Sequence, residues 1–196
     1  MKLLIPCNWG ISLIESTKDL PIYDFYGAMQ YSPVGHGRPA LIIPKVNEDV
    51  VQEFITKVHK LGRRFSYVLN APSMASNEFD PAFHRKLMEY FQWLVDIKVD
   101  GVHVTNPFLM EIIIEQFPQL EVGASVICGI SSVEMAQRYE EMGVKFITLT
   151  LEINRDFKAL KAIRKAIEYG LSFKEILEEY PYISVEDIKA CSIVAK

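Results

Sequence analysis

The stretch DGVHVTNPF, Asp100 to Phe108, decides how this chain folds. An apolar run through Val102 and Val104 stops at Asn106, and Pro107 cannot donate to a continuing ladder of backbone hydrogen bonds. Working outward, the same design recurs. KLLIPCN ends at Asn8, RFSYVLN at Asn70, LEVGAS at Ser125 and KFITLTLE at Glu152, while DLPIYDFYG ends less sharply at Tyr26 and Gly27. Apolar strands that each close on a polar residue, and that alternate with helical patterns, predict parallel strands sharing one edge. In α/β folds the carboxyl edge of the strands is where ligands bind.

The segments between these runs carry helix punctuation. Asn47 is placed to cap a helix whose apolar positions Val50, Val51, Phe54, Ile55, Val58 and Leu61 share one face, and Gly62 stops it. Pro81 suits the first turn of a second helix that buries Phe83, Leu87, Met88, Phe91, Leu94 and Val95. Shorter helices are expected at Ile11–Ser16 and Leu109–Phe117. Another starts at a capping box of Ser131 and Glu134 and ends at Gly143. The expected strands are Leu3–Cys7, Ile22–Gly27, Phe65–Leu69, a run ending at Asn106, Glu121–Ala124 and Lys145–Leu151. A helix from Phe157 to about Tyr169 follows. Six βα units imply a (β/α) barrel or a doubly wound sheet. Six strands cannot close an eight-stranded barrel, so two strand edges need cover from the tail, a second copy or a partner chain.

The 196 residues suit one domain of moderate size, and 49% hydrophobic with 23% charged residues is an ordinary globular composition. A net charge of −4 gives no general reason to expect nucleic-acid binding. No apolar run reaches the roughly 20 residues of a membrane span. Cys7, Cys128 and Cys191 are odd in number and form no CxxC pair, which predicts free thiols in a reducing cytoplasm and no metal site.

If the strands are parallel neighbours, Asn8, Asn70, Asn106, Ser125, Glu152, Asn154 and Arg155 share the functional edge with Tyr26, joined by His36 and Arg38 from the glycine-rich loop SPVGHGRP. Amides and hydroxyls position a polar small molecule or a peptide, and an arginine grips a carboxylate or phosphate with two donors. Glu152 is the expected general acid or base, with Arg155 beside it. The competing reading is that asparagine at a strand end only satisfies turn backbone. His103 can face the site or the opposite layer. Cys7, with His103 or His36 as base, is a possible nucleophile. No GxSxG, HExxH or GxxxxGK motif is present.

PCNW, YG followed by SPVGHGRP, YVLNAP, WLVDIKVDGVHVTNPFLMEII and EINRDFKALKAIRKA resemble the N-terminal half of peptidase family U32 over about residues 1–168. The resemblance implies an incomplete TIM-type (β/α) barrel of about six parallel strands, followed from residue 169 to 196 by a short helical tail. It also implies a family named for collagenase-like proteases, hence hydrolase chemistry. Some members instead carry out oxygen-independent hydroxylation with a 4Fe–4S cluster held by four cysteines. In the family a strand and a cysteine-rich segment follow the helix matching KALKAIRKA; here YGLSFKEILEEYPYISVEDIKACSIVAK stands in that place, and the cluster ligands are missing. His36 also replaces a usual glycine. The tail resembles a small antitoxin-like family of unknown function with helix-turn-helix character. It sets a second expectation, a non-catalytic regulator using the tail to contact DNA or a protein.

Overall fold

The computed structural model describes residues 3–77, 80–153 and 156–157. The chain divides into two compact units, Met1–Glu121 and Val122–Lys196.

The first unit holds four parallel strands, β1 (Leu3–Pro6), β2 (Ile22–Gly27), β3 (Arg64–Leu69) and β4 (Gly101–Val104), paired in chain order. Between them run α1 (Ile11–Ser16), α2 (Glu48–Lys60) and α3 (Pro81–Asp96), with α4 (Pro107–Gln116) following β4. Parallel neighbours are joined by crossovers long enough for a helix, as this pairing requires. The caps follow the sequence chemistry. Asn47 accepts from Val50 N–H, and Asp80 accepts from Ala82 N–H ahead of Pro81. Gly62, at φ +66°, takes the left-handed turn that ends α2.

Register assigns the two faces of this sheet different chemistry. Phe25, Phe65, Tyr67, Leu69, Val102 and Val104 point one way, all fully buried, and meet Phe54, Leu87, Phe91 and Leu94 of the helices. Edge-on ring contacts at 5.9 Å (Phe25–Phe54) and 6.0 Å (Phe54–Phe65) knit the layers. Each such side chain contributes roughly 1.5–3 kcal/mol by leaving water. The opposite face carries Asp24, Tyr26, Arg64, Ser66 and His103 beside Gly101. It is polar where a barrel interior is ordinarily filled by branched aliphatic side chains.

β5 (Glu121–Ala124) starts on the last residue of the first unit, and in the second unit it pairs in parallel with β6 (Phe146–Ile147), joined through α5 (Val133–Met142). Three details differ from expectation. The cap of α5 is Ser132, accepting from Met135 N–H, rather than Ser131, and Glu134 pairs with Arg138 at 2.8 Å instead of closing a capping box. Helix α4 begins at Pro107, not Leu109, because Asn106 caps it and proline is pre-set for the first turn. β6 is two residues long. After Thr148 N–H bonds to Ala124, the next bond along goes from Thr150 N–H to the Ile130 carbonyl, so the chain leaves the ladder and Leu151–Ile153 forms a 3₁₀ turn. The helix expected from Phe157 onward, the junction at 168 and the helical tail lie outside the described residues.

Candidate functional site

The carboxyl ends of β1 to β4 bring Asn8, Tyr26, Asn70 and Asn106 to one edge of the first unit. Each asparagine spends its carbonyl oxygen on nearby backbone. Asn8 Oδ1 accepts from Gly10 N–H at 2.9 Å, Asn70 Oδ1 from Gly37 N–H at 3.0 Å, and Asn106 Oδ1 from Phe108 N–H at 2.9 Å. The turn-satisfying role is therefore real for all three oxygens. Among the described residues, the NH2 groups of Asn8 and Asn106 donate to no protein acceptor, which leaves them as the presenting ends of those amides. Between Asn8 and Gly10 the bulky Trp9 sits at φ +64°, an uncommon conformation for such a residue. Its ring is locked against Phe54 (5.6 Å) and Phe65 (5.4 Å).

The loop after β2 folds back onto this edge. His36 hydrogen-bonds through Nε2 to the Gln30 carbonyl (3.1 Å), and burial holds its pKa below the ordinary value. Gly35, at φ +82°, allows the turn that brings Gly37 to Asn70. Arg38 is exposed. His103 shares its face with Val68 and packs against the Tyr26 ring at 5.8 Å, so it belongs to the polar face and not to the helix layer. Burial drives its pKa down to about 4, which keeps the imidazole neutral.

Burial disfavours the thiolate form that a Cys7 nucleophile would need. It pushes the thiol up to about 12, and Sγ fills the space beside Gly27 that a side chain there would need. The given sequence holds three cysteines, and among the described residues no group of three or more His, Cys, Asp or Glu could hold a metal ion.

Ser125 and Glu152 belong to the second unit. Ser125 Oγ accepts from Ile127 N–H at 3.4 Å and caps the 3₁₀ turn Val126–Cys128. Glu152 is exposed and accepts a hydrogen bond from the Thr150 hydroxyl. Asn154 and Arg155 lie outside the described residues.

Sequence reasoning missed the polar interior of the first unit. Asp24 is 3% exposed; its Oδ2 accepts from the Ser66 hydroxyl at 2.6 Å, while Oδ1 is buried without a hydrogen-bond partner among the described residues. Burial raises its pKa from 3.8 to about 6. Nearby, Arg64 holds Glu121 with two donors at 2.5 and 3.2 Å. Asp100 Oδ2 accepts from Phe65 N–H at 2.8 Å and lies 2.7 Å from His59 Nε2. The available signal was Asp24 inside IYDFYG, a carboxylate in the middle of an apolar strand.

Comparison with known proteins places these features. The family described as Peptidase family U32 matches residues 44–174, and one described as Protein of unknown function (DUF433) matches 159–193. The uncharacterized protease MJ1657 of Methanocaldococcus jannaschii is 31% identical over 142 residues, covering 70% of this chain and 40% of that protein. This chain therefore spans about two-fifths of that relative's length. The solved structure of the U32 peptidase Mk0906 superposes with a TM-score of 0.67 at 18% identity, over 84% of this chain and 64% of that one. Eubacterium rectale Amy13B gives 0.55 at 9% identity, over 94% and 55%. At those identities the two structures speak to fold alone. They support the α/β, incomplete TIM-type class expected from the sequence.

Proposed function

Because the chain belongs to peptidase family U32, we propose that the strand-end edge of its first unit is a binding pocket for an uncharged polar ligand, a small amide-bearing molecule or a peptide. One observation carries this reading: the asparagine carbonyls are committed to backbone while the Asn8 and Asn106 NH2 groups stay available as donors. With them go the Tyr26 phenol and the imidazoles of His36 and His103, and burial keeps the two imidazoles toward the neutral form. Neutral donors without a strong fixed charge suit carbonyl oxygens better than carboxylates or phosphates. The name of the relative MJ1657, a protease, agrees with a peptide-like ligand.

The test separates the two ends of each amide. Asn106→Asp keeps the capping oxygen and removes the NH2 donor, so the helix start survives. Titration with blocked dipeptide amides is expected to lose about tenfold in affinity in Asn106→Asp or Asn8→Asp, the worth of one good hydrogen bond. Unchanged affinity in both variants would remove the basis for the pocket.

For turnover, the assignment is Glu152 as general acid or base with Arg155 as its electrostatic partner; Glu152→Gln is expected to abolish product formation and leave ligand affinity intact. The match of residues 159–193 to a separate family supports a second reading, in which the tail contacts DNA or a protein. Pull-down with and without residues 170–196 tests it, and identical captured partners would end it.

A further inference from the structure

We propose that Tyr67 and Tyr90 are positioning residues of the strand-end site, setting the course of the loop that carries His36 and Gly37 to Asn70. This rests on the reading of that edge as a ligand site. Tyr67 lies in β3 on the helix-facing side and is fully buried; Tyr90 lies on α3. The two phenols form a chain that reaches the loop at Met29. Met29 N–H donates to Tyr67 Oη at 2.9 Å, and the Tyr90 hydroxyl donates to the same oxygen at 2.9 Å. Within the loop, Val34 N–H donates to Ser32 Oγ at 3.3 Å.

The loop is thus held near its start by Met29 on Tyr67 and at its far end by Gly37 on Asn70. Val34, 2% exposed, plugs the space beneath it. A buried hydroxyl is costly unless paired, so a phenol at position 67 has a purpose that phenylalanine would not serve. Burial raises the pKa of both phenols and keeps them as hydroxyls able to donate. Strand β3 therefore supplies the loop's anchor, Tyr67, and just past its end, three residues on, comes the ligand-edge residue Asn70.

The test needs no ligand, so its outcome is independent of whether dipeptide amides bind. Tyr67→Phe keeps the ring packing against Trp93 (6.1 Å) and removes the oxygen. Amide hydrogen exchange and the His36 ring titration, both followed by NMR, are the readouts. Exchange at Met29 is expected to accelerate about tenfold. The His36 midpoint should move up toward the ordinary histidine value as the loosened loop lets water reach the ring, relieving the burial that holds it down. Tyr90→Phe, at a half-buried position, should shift both readouts in the same direction by less, and serves if Tyr67→Phe fails to fold. Tyr139→Phe, which removes a phenol in the second unit, controls for loss of a tyrosine hydroxyl in general. Unchanged Met29 exchange and an unmoved His36 midpoint, in whichever Tyr67 or Tyr90 variant is folded, would overturn the proposal.

Discussion

Replacing Asp24 by asparagine should change how the stability of this protein depends on pH. Burial raises the folded-state pKa of Asp24 from 3.8 to about 6. A raised carboxyl pKa means that the folded state binds the proton more tightly than the unfolded chain between those values. Stability from this group is therefore present in acid and is lost as pH rises through about 6. The shift corresponds to about 3 kcal/mol in total, of which about 2 kcal/mol falls between about pH 4.5 and pH 7.5. Asparagine retains an oxygen to accept from Ser66 and cannot ionise. Urea denaturation of both proteins across that range gives a difference in unfolding free energy from which the other titrating groups cancel. Wild type should lose about 2 kcal/mol relative to Asp24→Asn as pH climbs. A difference that stays flat within about 0.5 kcal/mol would mean that the carboxylate is solvated and the polar interior wrongly described.

Asp100→Ala leaves Phe65 N–H and His59 without their acceptor and should cost about 2–3 kcal/mol in chemical denaturation, whereas a cost near zero would contradict that network. Ser132→Ala should destabilise by about 1 kcal/mol while Ser131→Ala is near neutral; the reverse order of melting temperatures would restore Ser131 as the cap. Gly123→Ala must push the Phe146 ring aside, for a loss of about 1–3 kcal/mol read by thermal melting, and full stability would refute that close approach. Alkylation of Cys7, followed by mass spectrometry, should remain slow until pH approaches about 12; a half-maximal rate at the ordinary thiol value of 9.0 would revive it as a reactive group.

What the sequence disclosed, and what it hid, follows from the range of the interactions. A strand that changes from apolar to Asn, and a helix opened by Asn-Pro, are local signals. β1 to β5, the cap Asn47 and the place of Pro81 in the first turn of α3 were legible from them, whereas the caps Asp80 and Asn106 were not read. The length of β6 was not, because it depends on where β5 ends and on Ile130 taking the Thr150 N–H. Asp24 and Ser66 are 42 residues apart, and Tyr67 reaches Met29 across 38. Nothing in either segment names its partner until register places them on one face. The strand-end asparagines were visible as a set, yet only the structure separates their committed oxygens from their available NH2 groups. Glu152 was equally visible as a strand-end carboxylate, but it sits in a turn and not in a ladder.

The most direct measurement is a titration of the isotope-labelled protein with blocked dipeptide amides, followed by two-dimensional NMR of backbone and asparagine side-chain amides. The account predicts saturable shifts at the Asn8 and Asn106 NH2 groups and at Gly37, with the helix-facing residues Phe54 and Phe91 unmoved. Shifts confined to other surfaces, or none at millimolar ligand, would contradict the assignment of this edge as the ligand site.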